Sequence, residues 1–469
     1  MKINRFFKDI FTVSIGNVAY LISSILLGFV LPMLLSVDDY GYYKLYTLYF
    51  SYSGLLHFGF IDGILLVFAG KDYEELDRQA FRLYSRFFIY LEVLLGFAVS
   101  LFALFVLDGV YKIIGIFIAI NMFCNNVTMY YQYISQAVRR FKEFSNRKII
   151  VALAWIAIML ILFVSVKFFK AKPGFSVCLL MLSAIYIVLL VKYILTYRNI
   201  TFGKSYTLKS EKSSLLNIFK TGIVMTVAYE VSRLALLVDQ QFISMLFDIE
   251  TYAQYAFAYN ILSAITTLIS SLSIVLLPQL KRMQKENAVD LFPKVVGIVS
   301  CIIAFCLTGY YPVCKIVEFI LPAYVDSLVY FQIVLPALIL TGCITIVMFT
   351  FFNALGKTKE FLFLGLVSLV VSCVFDFVAY RIYGTSVAIA LVRAITTAIW
   401  YLLNVLYFAK IYKVKWVKNF IYAVLIIVGF YFTTFCIPNE IISAVAYFCL
   451  FVIVSVAMLK NEILSLRKR

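Results

Sequence analysis

Fourteen apolar stretches of about twenty residues each recur along this chain of 469 residues, and that pattern leaves almost no choice of environment. A bilayer's hydrocarbon core is about 30 Å thick, and a helix rising 1.5 Å per residue needs about 20 residues to cross it. The stretches fall near 12–35, 42–68, 86–107, 110–135, 148–166, 175–197, 217–238, 252–277, 293–314, 328–352, 361–380, 385–408, 417–437 and 440–459. Residues are 64% hydrophobic and 14% charged, with a mean hydropathy of +0.98, more apolar surface than one water-soluble core can hide. A lipid-exposed backbone must satisfy its hydrogen bonds within its own segment, which makes these stretches helices; barrel strands would alternate apolar and polar residues. The expected fold is an all-α polytopic membrane protein with about 14 transmembrane helices.

A net charge of +17 would suit nucleic acid, but its placement points to the membrane. Counting the N-terminus as inside, the junctions Ser36 to Gly41, Asp239 to Thr251 and Ile437 to Ile441 hold no Lys or Arg. The alternate junctions are rich in them: Arg139, Arg140, Lys142, Arg147 and Lys148 after span 4; Lys192, Arg198, Lys204, Lys209, Lys212 and Lys220 around the gap after span 6. Lys281, Arg282, Lys285 and Lys294 follow span 8, and Lys410, Lys413, Lys415 and Lys418 follow span 12. Lys167, Lys170 and Lys172 are a mild outside exception. By the positive-inside rule both termini are expected in the cytoplasm, with no nucleic-acid partner. Lys2, Arg5 and Lys8 imitate a signal peptide, but the apolar run continues to Leu35 without a small-residue cleavage site and reads as the first span. The nine cysteines are scattered, with no CxxC and no Cys/His cluster, and imply neither a disulfide framework nor a zinc site. No Walker A motif or GxGxxG fingerprint is present, so direct ATP hydrolysis is not expected.

The chain echoes itself after about 210 residues. Asn17-Val-Ala-Tyr20 in span 1 resembles Thr226-Val-Ala-Tyr229 in span 7; Asp38-Asp-Tyr-Gly-Tyr-Tyr43 resembles Glu250-Thr-Tyr-Ala-Gln-Tyr255; Arg140-Phe-Lys-Glu-Phe144 resembles Lys357-Thr-Lys-Glu-Phe361. Three echoes in one order at equivalent topological positions indicate duplication, although a Tyr-rich chain can produce such matches by coincidence. Six spans per unit is even, so the repeats would be parallel, related by an axis along the membrane normal. The expected organisation is an N-lobe over 1–200, a C-lobe over 201–410, and two further helices with a basic cytoplasmic tail over 411–469.

The Lys-rich N-terminus, Leu31-Pro32, the Asp39-Tyr40-Gly41 turn, the gap after span 6 and the Asn353-Ala-Leu-Gly-Lys-Thr-Lys359 exit from span 10 resemble bacterial Wzx-type polysaccharide flippases. These are members of the multidrug/oligosaccharidyl-lipid/polysaccharide (MOP) exporter superfamily. The resemblance implies a non-enzymatic flippase of the bacterial inner membrane that moves undecaprenyl-diphosphate-linked oligosaccharide to the periplasmic leaflet for O-antigen or capsule biosynthesis. It also implies two six-helix lobes forming a V, with spans 1, 2, 7 and 8 facing the cavity. A polysaccharide polymerase and a chain-length regulator are the implied partners besides substrate and membrane lipid. No cofactor is implied beyond coupling to H+ or Na+.

Charged groups at bilayer depth cost about 2.5 to 3.5 kcal/mol each on insertion scales, so each needs a reason. Glu230 and Arg233 lie three residues apart in span 7, either as an internal ion pair or as a cavity pair in which Arg233 attracts the diphosphate. Lys44 and Asp62 in span 2 are eighteen residues, five turns, apart and so share one face with Ser51 if the helix is straight. Lys44 snorkels or faces substrate; Asp62 caps the inner end or lines the cavity. His57, the only histidine, is either a hydrogen-bonded structural residue or a proton-coupling site. Asn121, Asn125, Thr128, Gln132 and Gln136 stripe one face of span 4, lining a wet cavity or bonding to neighbouring helices. Arg393 and Asp376, on sequential spans, are expected to pair, and Glu92 in span 3 is left open. Tyr40, Tyr42, Tyr43, Tyr46 and Tyr49 crowd the outer mouth of span 2 as an interfacial belt or a platform for sugar rings. A cation-coupled drug exporter of the same superfamily is the nearest rival. A glycan polymerase would need a large periplasmic loop, and a non-transporting scaffold would not carry intramembrane charge.

Overall fold

The computed structural model describes residues 3–467; Lys2, Lys468 and Arg469 lie outside them. Within the helices, the side chains of residues 3–14, 268–275, 277–279, 281–282, 461 and 463–467 are also outside, Lys8, Lys281 and Arg282 among them. The chain is a multi-pass, all-α membrane protein. Among the described residues twelve helices are long and apolar enough to cross a bilayer, and a bent pair makes a thirteenth, near the fourteen read from the sequence. The helix at span 8, Ile249–Arg282, has 34 residues and reaches about 51 Å, ample for a crossing.

Two compact units divide the chain at Glu230, inside one continuous helix. The first holds α1 (Ile3–Leu34), α2 (Val37–Ser51), α3 (Phe60–Phe68), α4 (Arg78–Val106), α5 (Gly109–Ala137), α6 (Phe141–Phe169), α7 (Phe175–Thr196), the one-turn α8 (Arg198–Thr201) and the first half of α9 (Lys212–Leu246). The second holds the rest of α9, then α10 (Ile249–Arg282), α11 (Lys285–Cys306), α12 (Tyr310–Ile320), α13 (Ser327–Val334), α14 (Leu338–Gly342), α15 (Phe349–Ala354), α16 (Thr358–Tyr383), α17 (Ser386–Tyr412), α18 (Val417–Cys436) and α19 (Glu440–Arg467). Each unit wraps a central span. In the first it is α5, against which α2, α3, α4, α6 and α7 all pack. In the second it is the run α13 to α15, kinked by a 3-10 turn at Pro336 and a π turn over Cys343–Met348.

Span 2 departs from the straight helix that the Lys44–Asp62 spacing assumed. A 3-10 segment over Tyr52–His57 and two left-handed residues, Phe58 (φ 49°) and Gly59 (φ 83°), bend it by 55° between α2 and α3. His57, Phe58 and Gly59 sit in an apolar run, so hydropathy alone did not register the break. Lys44 and Asp62 therefore share no helix face.

The close approach of α3 to the first half of α9 follows from glycine. Gly59 and Gly63, four apart, meet Gly222: a Cβ on Gly222 would lie 1.9 Å from the Gly59 carbonyl oxygen and 2.4 Å from the Gly63 nitrogen. Small residues at i and i+4 let helix backbones touch in the absence of any hydrophobic drive between helices in lipid.

Candidate functional site

Three buried carboxylates gather around the break in span 2. Glu92 of α4 is fully buried and accepts both bonds of the Asn126 amide, at 3.2 and 3.1 Å; the same amide reaches the Ser53 carbonyl at 3.3 Å. Glu230 of α9 lies against Gly54, where an added Cβ would come within 2.7 Å of its carboxylate oxygen. Asp62 stands in the first turn of α3, where the helix dipole favours a negative charge, and accepts the Thr226 hydroxyl of α9. His57 is spent on the break itself: its Nδ1 accepts the Gly59 backbone N–H at 3.2 Å, the structural one of its two readings.

Three residues of the polar stripe on α5, Asn121, Asn125 and Gln132, make interhelical bonds. Arg147 of α6 donates to Gln132 Oε1 at 2.8 Å and to Asn125 Oδ1 at 2.7 Å, gripping two amides two turns apart on one helix. Asn121 donates to the Tyr46 hydroxyl at 2.8 Å, Thr128 bonds back to the Cys124 carbonyl of its own helix, and Gln136 is exposed. Neighbouring Lys148 donates to Asn17 of α1 at 2.5 Å. Arg147 and Lys148, counted in the sequence as cytoplasmic loop charges, are thus helical side chains reaching into the bundle. Tyr133 of α5, three residues before Gln136, lies within electrostatic reach of Asp62, Glu230 and Arg147 together. Among the described residues no carboxylate lies within 4 Å of Arg147, and its buried Nε–H has no hydrogen-bond partner.

The second unit holds a separate cluster. Asp239 of α9 is buried and takes the hydroxyls of Tyr255, at 2.6 Å, and Tyr259, both of α10. Arg393 of α17 is buried beside it, with Nε 4.0 Å from Asp239 and a guanidinium nitrogen donating to the Ala235 carbonyl at 2.8 Å. The expected Arg393–Asp376 pair does not form within 4 Å: the guanidinium turns to α9, which supplies both a carboxylate and a carbonyl. Asp376 remains in the electrostatic surroundings of Arg393 and Asp239, and one of its oxygens has no hydrogen-bond partner. The sequence placed Asp239 in an outside junction because the apolar run stops there, whereas α9 continues to Leu246. The signal available was the apolar Phe242-Ile243 and Met245-Leu246 beyond it, at helical spacing.

Of the eight residues singled out in the sequence, Asn125 and Gln132 share the Arg147 guanidinium, while Asp62 and Glu230 lie within electrostatic reach of Tyr133. Lys44 stays on α2, its Nζ over the Tyr40 ring at 5.4 Å, and His57 belongs to the break. Arg233 is half-buried on α9 at the start of the second unit, and Arg393 lies in the Asp239 cluster. The tyrosines of α2 do not form an exposed platform: Tyr40, Tyr43 and Tyr46, three apart, are buried on the face that packs against α5 and α7.

No family model matches the chain, and no curated protein matches it. Solved structures do. The lipid II flippase MurJ, in an inward closed conformation, matches with a TM-score of 0.72 at 14% identity, over 97% of this chain and 100% of that one. An inward-facing multidrug resistance MATE family transporter of the MOP superfamily matches at 0.56 and 11% identity, over 85% and 99%. A point mutant of the Vibrio cholerae MATE transporter VcmN matches at 0.55 and 13%, over 87% and 97%. The chain therefore has the all-α, polytopic fold of MurJ and the MATE transporters.

Proposed function

We propose that this protein is a flippase of the bacterial cytoplasmic membrane, with both termini cytoplasmic, that carries a lipid-linked oligosaccharide diphosphate across the bilayer by alternating access. The observation that carries this reading is Arg147. Two neutral amides fix its guanidinium in the bundle without cancelling its charge, and its Nε–H is unspent. A planar, permanently charged fork held this way suits a diphosphate better than an ammonium would. MurJ, named for lipid II, and the MATE exporters share the fold, which supports transport without choosing the cargo. The lobes would be 1–200 and 201–410, and a polymerase and chain-length regulator would act on the exported unit. In this reading H+ or Na+ coupling falls to Asp239, Asp376 and Arg393, where Asp239 lies beside the guanidinium and a nearby Asp376 oxygen has no hydrogen-bond partner. Export of cationic drugs is the second reading, favoured by the buried Asp62 and Glu230 beside Tyr133. The test is the lipid fraction of a deletion strain: a polyprenyl-diphosphate oligosaccharide should accumulate in the cytoplasmic leaflet. Unchanged lipid-linked glycans with raised drug sensitivity would overturn the flippase reading in favour of the exporter.

A further inference from the structure

Between α4 and the segment after α8 lies a groove of about 500 Å³. Leu83, Phe87, Leu91 and Leu94, spaced four, four and three along one helix face, line its length, and Leu208 of the segment after α8 forms part of its wall. Arg86, between Leu83 and Phe87 on the helix, and Ser205 supply its polar lining. The segment after α8 is strapped to α4 there: Arg82 donates to the carbonyls of Asn199, at 2.9 Å, and Lys204, at 3.0 Å, while Arg86 donates to Ser205 Oγ at 3.3 Å and to the Gly203 carbonyl. Gly203 has φ 114° and passes so close that a Cβ would lie 2.8 Å from the Arg82 guanidinium carbon. These acceptors are all neutral, and among the described residues no carboxylate lies within 4 Å of Arg86. Its guanidinium is thus oriented, half-buried and uncompensated at the mouth of a hydrocarbon-walled slot.

We infer that this groove is a binding site for one anionic glycerophospholipid, with its phosphate on Arg86 and the Ser205 hydroxyl and one acyl chain along Phe87 to Leu94. Charge complementarity selects an anionic head group, and basic pockets at the ends of membrane helices bind such head groups. Length selects the tail. From Arg86 to Leu94 eight residues of helix span about 12 Å, within the roughly 15 Å of one leaflet, which a single acyl chain fills and a long polyprenyl chain would outrun. The inference rests on the membrane-spanning fold and not on the proposed substrate.

The full-length protein, purified in mild detergent and loaded with phosphatidylglycerol or phosphatidylcholine, would be assayed for retained lipid by native mass spectrometry. Wild type should retain phosphatidylglycerol about fivefold better, the weight of one basic residue near a lipid surface. Arg86→Ala should abolish that preference. Arg82→Ala, which loosens the same strap while leaving Arg86, should keep it. Leu91→Trp, which fills the slot without touching Arg86, should lower retention of both lipids. Equal retention of the two lipids by wild type, or unchanged phosphatidylglycerol retention in both Arg86→Ala and Leu91→Trp, would overturn the site. Tighter retention of polyprenyl phosphate than of phosphatidylglycerol would overturn the assignment of its occupant.

Discussion

Gly222→Ala tests the packing on which the first unit depends. The new methyl would sit 1.9 Å from the Gly59 carbonyl oxygen and 2.4 Å from the Gly63 nitrogen, both backbone atoms that no rotamer change can move aside. Restoring ordinary contact near 3.4 Å requires the two helices to part by about 1.5 Å, the difference between 3.4 and 1.9. Overpacking of this kind costs about 1 to 3 kcal/mol. The Thr226 hydroxyl, one turn along α9, would also be pulled from Asp62, and losing a hydrogen bond to a buried carboxylate adds about 1.5 to 3 kcal/mol. The sum is about 2.5 to 6 kcal/mol, measurable as lost stability in a mixed-micelle unfolding titration. Thr226→Val should cost only the hydrogen-bond part. The double variant should cost less than the two singles added, since the methyl has already broken the bond. A Gly222→Ala protein within about 1 kcal/mol of wild type would refute the account of backbone contact between α3 and α9.

Arg393→Met should destabilise the second unit by about 3 to 5 kcal/mol because it strands Asp239, and adding Asp239→Asn should recover most of that loss in the same titration. Asn126→Leu leaves Glu92 without its donor and should cost about 1 to 3 kcal/mol, whereas Asn125→Leu should leave Glu92 untouched. Asp248 caps α10, and the Thr251 backbone N–H at 2.7 Å holds its carboxyl below the ordinary value of 3.8. A carboxyl lowered in the folded state contributes stability above its unfolded pKa and loses it as pH falls through the folded one. Asp248→Asn should accordingly flatten the acid limb of the stability curve below about pH 4 and change little at pH 7.

The spans were legible because lipid imposes them: a run of about twenty apolar residues has no other stable use. What hydropathy could not carry was geometry inside a span. The break at His57-Phe58-Gly59 is made by two left-handed residues and a histidine acceptor, all within an apolar run. Asp239 and Arg147 were set outside the membrane because charge ended the apolar windows there, although α9 and α6 continue through both. The partner of Arg393 comes from α9, remote in sequence, although the neighbouring helix offers Asp376. The stripe on α5 was visible as a stripe; that a single guanidinium on α6 ties Asn125 to Gln132 depends on helix packing, which no single sequence states.

The most direct test of the transport account is flipping in proteoliposomes that contain this protein and a fluorescent polyprenyl-diphosphate oligosaccharide, with label reached from outside scored over time. Wild type should equilibrate the label between leaflets, Arg147→Ala should leave it where it was loaded, and Arg147→Lys should recover part of the rate because charge returns without the bidentate fork. Equilibration by Arg147→Ala at the wild-type rate, with the protein folded and present in equal amount, would contradict the assignment of the diphosphate to Arg147.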